Sequence, residues 1–310
     1  MHAPGGMKHA LIFVLLAASC RHAQVPLPAT PAEAQAETAS VARGEYVVRN
    51  VAVCGHCHSS DPKNADGTLS GGREFRNWRI GTARGTNLTP DPETGLGAWS
   101  DAEIVRAIRN GQSRDGRLIA PIMPYEWFHG MSDADAFSVA RYLKSLPPVR
   151  NDVRQSPNVI FRIGRALLLR PKPAMSVPSP ARGPSPEYGR YLALHVGLCA
   201  DCHTPRKGLL AKADQSRLFA GTSTPPKGFP ANPSNITSDV ETGIGGWSES
   251  QFIQTIRTGV NPSGVSLHPF MPWHEMSRMS DDDLRAIYRY LRTTTPVRNQ
   301  VTRRAAAAQE

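Results

Sequence analysis

The segment NLTPDPETGLGAW (Asn87–Trp99) returns as NITSDVETGIGGW (Asn235–Trp247), 148 positions later. A long segment repeated once points to two similar units, since solenoids are built from many short repeats. Other positions keep that spacing: Gly111 with Gly259, Met123-Pro124 with Met271-Pro272, Ser132 with Ser280, and PVRN at Pro148–Asn151 with PVRN at Pro296–Asn299. Upstream the spacing is 145, where Gly44 pairs with Gly189 and Cys54 with Cys199. The second unit therefore gains three residues between its cysteines and the repeated segment, and a loop absorbs such a change most easily. A chain of 310 residues accommodates two units of this size.

Each unit reads as helical. Val41–Asn50 and Glu187–His195 approach the two cysteine pairs. Ser100 with Glu103 and Ser248 with Gln251 are capping boxes. The helices they open carry Ile104, Val105 and Ile108, or Phe252, Ile253 and Ile256, and stop at Gly111 and Gly259. A last helix opens at Ser132 with Asp135 at the reciprocal position, and ends at Pro147. Ser280 and Asp283 open its counterpart, which stops before Pro296. No run of alternating residues marks a strand, so the expected class is all-α. So few helices leave a thin core, which a large apolar cofactor would complete.

The expected boundaries are 41–152 for the first domain, 153–186 for the joint, 187–301 for the second domain and 302–310 for a tail. The stretch Pro171–Pro186 (PKPAMSVPSPARGPSP) reads as a semi-rigid linker. Before it, Val159–Arg170 (VIFRIGRALLLR) is too short and too charged to cross a membrane. Packing across the domain interface is the expectation, and lying on a bilayer surface is the alternative.

The N-terminus resembles an export signal, residues 1–20: a basic Met7-Lys8-His9, then the short apolar Ala10–Ala18. Ala17-Ala18-Ser19-Cys20 resembles a bacterial lipoprotein signal, with Cys20 as the lipid-modified residue; ordinary cleavage nearby is the alternative. Residues 21–40 lack apolar periodicity and read as a flexible tether. The expected location is exported and periplasmic, with a lipid anchor if Cys20 is modified. The net charge of +10 is scattered along the chain, which does not point to nucleic acid.

The chain has five cysteines. Apart from Cys20 they form CGHCH (Cys54–His58) and CADCH (Cys199–His203), leaving none for a disulfide although export favours them. A redox dithiol calls for a βαβ context, which is missing. A single zinc site built from both pairs would have to bridge 145 residues. Two equivalent copies argue against chance. Covalent haem attachment explains the motif: each cysteine forms a thioether with a vinyl group, and the adjacent histidine binds the iron. The expected thioethers are Cys54, Cys57, Cys199 and Cys202, with axial ligands His58 and His203, for two haem c in all. His56 has Asp201 as its counterpart and reads as a surface residue. Met123 and Met271 share a repeat position before proline and an aromatic residue, and are the expected sixth ligands. Met131 and Met279 precede helix caps and read as hydrophobic staples. The flanking His129, His268 and His274 are unmatched and read as surface. Trp99, Trp247, Asn87 and Asn235 either line the cofactor or serve packing and turn capping. The glycines of ETG-x-G (Glu93–Gly97, Glu241–Gly245) read as positive-φ turn residues.

Four features together, GRYLALHVGLCADCHT, N-[LI]-T-x-D-x-E-T-G-[LI]-G-x-W, the R-x-G-x-x-x-x-G stretch and MP before an aromatic residue, carry a resemblance. From about residue 43 to 300 the chain resembles a dihaem cytochrome c related to the cytochrome c subunits of bacterial membrane-bound alcohol and gluconate dehydrogenases. The resemblance implies two tandem cytochrome c-like domains. It implies electron transfer between a dehydrogenase or quinol-oxidising partner and a downstream oxidase or cytochrome, with no catalytic residues of its own. The alternative is a haem enzyme, a dihaem peroxidase or thiosulfate-oxidising cytochrome, which needs an open iron site.

Overall fold

A computed structural model describes residues 39–61, 67–167, 169–208, 211–225 and 230–302. The export signal, Cys20 and nearly all of the tether and tail lie outside the described residues.

The first half contains α1 (Val41–Tyr46), which continues as a π-helical turn (Val47–Val51), then α2 (Gly55–His58). Strands β1 (Glu74–Asn77) and β2 (Gly81–Arg84) follow, then α3 (Asp101–Asn110), α4 (Tyr125–Phe128) and α5 (Asp133–Ser145). A short strand β3 (Ser156–Pro157) leads to α6 (Val159–Leu167). The second half repeats the helical order: α7 (Pro186–Tyr191) with its π-turn (Leu192–Val196), α8 (Cys199–His203), α9 (Glu249–Thr258), α10 (Trp273–Met276) and α11 (Asp281–Arg292). Between α8 and α9 lie β4 (Arg206–Lys207) and β5 (Lys212–Ala213).

The predominantly helical expectation holds, with a small sheet that the sequence did not announce. The strands β1, β2 and β3 form an antiparallel sheet, with Glu74 opposite Arg84 and Gly81 opposite Pro157. Strands of four residues or fewer are too short to print an alternating pattern.

Both capping boxes form, and α3 and α9 end at left-handed Gly111 and Gly259. At α5 the reciprocal cap differs from the expectation. The Ser132 hydroxyl accepts from the Asp135 amide, but the Ser132 amide donates to the Tyr191 hydroxyl at 3.2 Å. Tyr191 in turn donates to the Asp135 carboxylate at 2.7 Å. The Asp135 carboxylate also takes a bidentate contact from Arg43, at 2.8 and 2.9 Å.

Helices α1 and α5 cross at Gly44, and α7 and α11 cross at Gly189. A Cβ at Gly44 would lie 1.9 Å from the Ser138 carbonyl oxygen, and one at Gly189 1.8 Å from that of Ala286. Glycine is required at both positions because backbone meets backbone.

The halves share one apolar cluster, from Val47, Val51, Leu143 and Met131 through Tyr188, Leu192 and Val196 to Met279 and Leu291. Their contact is reciprocal. Tyr191 caps α5 of the first half, and Tyr46 caps α11 of the second: the Ser280 amide donates to its hydroxyl at 2.9 Å, which donates to Asp283 at 2.7 Å. Exchange of the same contact in both directions is the mark of a two-fold relation.

The joint is bonded to the first half, and its helix departs from expectation. The proline-rich stretch is strapped to the first half. Lys172 donates to the Asn110 carbonyl (2.9 Å), the Asp133 amide to Val177 (2.9 Å) and the Arg109 guanidinium to Met175 (2.6 Å). Helix α6 does not pack its apolar stripe between the halves. It buries Phe161 and leaves Val159, Ile160, Ile163 and Leu167 exposed.

Candidate functional site

Each cysteine motif is a single helical turn, reached through unusual backbone. A π-turn precedes both, and the residue just before the first cysteine is left-handed: Val53 at φ 47° and Leu198 at φ 55°. A branched side chain at positive φ is strained, and strain of this kind gathers at functional sites. Sequence reasoning passed over Val53 and Leu198. Their position, one residue before equivalent cysteines, is the signal that marks them.

The turn aims the histidines. The His58 Nδ1 donates to the Thr86 carbonyl at 2.8 Å, and the His203 Nδ1 to the Ser234 carbonyl at 2.7 Å. A carbonyl only accepts, so Nδ1 carries the proton and Nε2 keeps its lone pair. Burial pushes both rings' pKa down, which favours the neutral, ligating form. A histidine ligand is commonly fixed by such a second bond.

The frame around these carbonyls is duplicated. Gly71 donates to the His58 carbonyl and Gly221 to that of His203, both at 2.7 Å. The two routes between these points and the repeated segment differ. From His58 to Leu69 is eleven positions and from His203 to Phe219 sixteen, whereas Gly72 to Gly85 spans thirteen and Thr222 to Pro233 eleven. The three-residue difference is thus an insertion of five and a deletion of two. The insertion carries β4 and β5, and the deleted stretch corresponds to the β1–β2 hairpin.

Asn87 and Asn235 hold this frame. Asn87 Nδ2 donates to the Val149 carbonyl at 2.7 Å and to Thr94, while its oxygen accepts from Thr89. Asn235 makes the same set with Val297 (2.8 Å), Thr242 and Thr237. Every polar atom of both side chains is engaged, which settles them as turn caps. The ETG-x-G glycines have no positive φ; a Cβ at Gly95 would lie 2.1 Å from the Thr89 carbonyl and one at Gly243 2.4 Å from that of Thr237. Close backbone approach, not turn sign, requires them. Trp99 and Trp247 are half-buried against the shared core.

Met123 and Met271 occupy matching turns. Their amides donate to Ala120 (3.0 Å) and His268 (2.9 Å), and the prolines that follow have φ/ψ of −80°/47° and −79°/47°. Both methionines are half-buried against the apolar cluster, as are Cys54 and Cys199. Met131 and Met279 are fully buried ahead of their helix caps. A second repeated device ties α3 to α5 and α9 to α11: Arg109 pairs with Asp133, and Arg257 with Asp281 at 2.6 Å. This pair was not anticipated.

His56 is not a surface residue. It is half-buried between the halves, edge-on to Phe270 with ring centroids 5.0 Å apart. Its carbonyl accepts from Arg73, whose guanidinium sits over Phe270. Burial and Arg73 push the His56 ring down to about 4. Asp201, at the same place in the other motif, accepts from the Trp127 indole across the halves at 2.9 Å. The third residue of each motif therefore faces the opposite half. His129 and His268 also have local partners, Nδ1 of the first meeting the Arg109 carbonyl and that of the second accepting from Phe270.

Burial pushes the Cys54 thiol up to about 12 and those of Cys57 and Cys199 up to about 11. A redox dithiol needs a lowered thiol pKa, so that reading loses ground. Among the described residues no three His, Cys, Asp or Glu side chains converge as a metal cluster. Two thiols plus one neutral imidazole of fixed tautomer, twice over, is a donor set that fits two covalently attached haems.

No family model matches the chain. It is similar to the gluconate 2-dehydrogenase cytochrome c subunit of Pantoea cypripedii, 31% identical over 84% of this chain and 61% of that protein. The cytochrome c subunit of the quinone alcohol dehydrogenase of Gluconobacter oxydans is 32% identical over 84% of this chain and 56% of that subunit. A "diheme cytochrome c-type" protein of Cereibacter sphaeroides is 29% identical over 82% of this chain and 86% of its own length. The chain spans about three fifths of the length of these two dehydrogenase subunits. It is a homologue of the cytochrome c subunits of bacterial gluconate and alcohol dehydrogenases and of a dihaem c-type cytochrome.

Proposed function

We propose that the protein is an exported dihaem electron carrier, passing electrons from a dehydrogenase or quinol-oxidising partner to an oxidase or another cytochrome. Its two cytochrome c-like domains are 41–152 and 187–301. The observation that carries this reading is the matched pair of histidines, each with Nδ1 bonded to a backbone carbonyl and Nε2 left as a lone-pair donor. Cys54 and Cys57 would hold one haem c, with His58 and Met123 as iron ligands. Cys199 and Cys202 would hold the other, with His203 and Met271. When bound, haem supplies a reversible one-electron couple.

The chain's own residues set the conditions for that couple. Thr86 and Ser234 fix the imidazole tautomers. The shared apolar cluster keeps the sites rigid and lowers the local polarity. The reciprocal packing sets each motif against the opposite half, with His56 edge-on to Phe270 and Asp201 accepting from the Trp127 indole at 2.9 Å. Proximity of this kind suits transfer between two centres within one chain. The names of the homologues favour a dehydrogenase as electron donor.

The test is a haem count on the exported protein, followed by exposure of the reduced form to carbon monoxide. Two haem c per chain and no rapid carbon monoxide binding are expected. Rapid binding to one full equivalent of haem would favour the haem-enzyme alternative. Met271→Ala should remove the near-infrared sulfur-to-iron band of the second haem, and an unchanged band would mean that another residue is the ligand.

A further inference from the structure

Helix α6 is amphipathic in the wrong sense for a helix that merely packs on its protein. Its start is fixed by Asn158, whose side-chain oxygen accepts from the Phe161 amide at 2.8 Å. Phe161 is buried, at 6% exposure, and Arg165 stacks its guanidinium on that ring. The other face carries Val159, Ile160, Ile163 and Leu167, exposed by 66, 59, 54 and 67%. At helical spacing these four form one continuous stripe. Scattered apolar residues at a surface are ordinary, but a contiguous stripe of four large ones is not.

A fifth residue extends the patch. Trp78, 66% exposed, lies in the β1–β2 turn. That turn is joined to the start of α6 by two bonds: the Asn158 side chain donates to the Trp78 carbonyl at 2.6 Å, and its amide to the Ile80 carbonyl at 2.9 Å. The sheet thus holds an indole beside the apolar stripe, with the Arg79 guanidinium 4.7 Å from its ring.

The segment that carries this patch is basic, although Arg154, Lys172 and Arg182 also meet Asp152, Glu126 and Asp135. Residues 153–186 contain no aspartate or glutamate, and carry Arg154, Arg162, Arg165, Arg170, Lys172 and Arg182. The sheet's carboxylate, Glu74, is engaged by Arg76 and Arg84. Among the described residues no helix is long and apolar enough to cross a membrane. A short helix with an apolar face, flanking arginines and an indole at its edge matches the requirements for lying in a lipid interface. Cationic flanks complement anionic headgroups at that depth.

We propose that α6 and Trp78 form a docking surface that seats the protein on an anionic lipid bilayer, independently of any lipid on Cys20. The stripe enters the boundary between headgroups and acyl chains, and the arginines meet the phosphates. The first half would then lie nearest the membrane, since α6 is strapped to it through the linker.

The test uses the exported haem-loaded chain carrying Cys20→Ala, so that no anchor contributes. It is floated with vesicles of phosphatidylglycerol and phosphatidylethanolamine, and with vesicles of phosphatidylcholine alone. Binding to the anionic vesicles is expected, weakened at about 0.5 M salt as surface charge is screened. The exposed-face variant Ile160→Glu/Ile163→Glu should lose about tenfold in bound fraction with haem absorption and melting unchanged. Should that variant misfold, Trp78→Ser with Leu167→Ser, on two separate elements, gives the same readout. Absence of binding by the parent, or equal binding by the variants, would overturn the proposal. So would variants that keep vesicle binding but no longer copurify with a dehydrogenase catalytic subunit, since the patch would then be a protein interface.

Discussion

The two halves agree where they frame the histidines and diverge in the chain that leads there. His58 and His203 reach equivalent carbonyls through the same local bonds, and Asn87 and Asn235 hold the same partners. Yet the first half builds a hairpin where the second has a shorter segment, and the second lengthens the stretch after its motif. A site made of backbone carbonyls and one asparagine tolerates changes in loop length, provided the ends of each loop are pinned. The loops are then free to give each half a different surface.

The strongest way to break this comparison is to disable one site. Replacing Cys54 and Cys57 by alanine, or Cys199 and Cys202, should lower the haem c content from two per chain to one. Equal losses would support equivalent sites. Loss of both haems from either variant would mean that one half cannot form without the other.

Next in size are the helix crossings. Gly44→Val and Gly189→Val force a side chain into backbone, and each should cost upwards of about 3 kcal/mol. Thermal melts should show similar losses, because the approach distances are nearly equal. The frame asparagines come third. Asn87→Ala and Asn235→Ala each strand several buried partners, at a cost of about 2–3 kcal/mol in either half. A marked difference between the two, measured by denaturant titration, would show that the frames carry unequal loads.

The interface tyrosines should separate the halves. Tyr191→Phe removes a hydroxyl between two buried groups, Ser132 and Asp135, whereas Tyr46→Phe removes one between the buried Asp283 and the exposed Ser280. The first should cost about 1–2 kcal/mol and the second about half as much. The smallest effect is that of acid. Burial would raise the Asp135 carboxyl, but bonds from Arg43 and Tyr191 hold it below its ordinary value. A folded pKa below the unfolded one means that this contribution is complete above about pH 4 and is lost as pH falls through the folded value. Stability measured from pH 6 to pH 3 should therefore fall less steeply in Asp135→Asn than in the parent.

Much of this was readable in the sequence because the repeat supplied its own control. The capping boxes, the glycine stops and the cysteine-histidine turns are local chemistry, and local chemistry shows in short windows. The small sheet was not readable, since β1 and β2 have four residues each. Positive φ at Val53 runs against the residue type, so propensity argues the wrong way there. His56 was misjudged because burial at an interface depends on the opposite half. Helix α6 makes the same point: periodicity reveals an apolar stripe but not what it faces.

The exchanged tyrosine caps have a consequence for higher assembly. A surface that closes by giving and receiving the same contact has no copy of itself left over. With Tyr46 and Tyr191 already spent within one chain, this surface is saturated, and a further chain has no complementary seat upon it. Any partner, whether a second copy or a larger catalytic subunit, must be recruited through a face outside this contact.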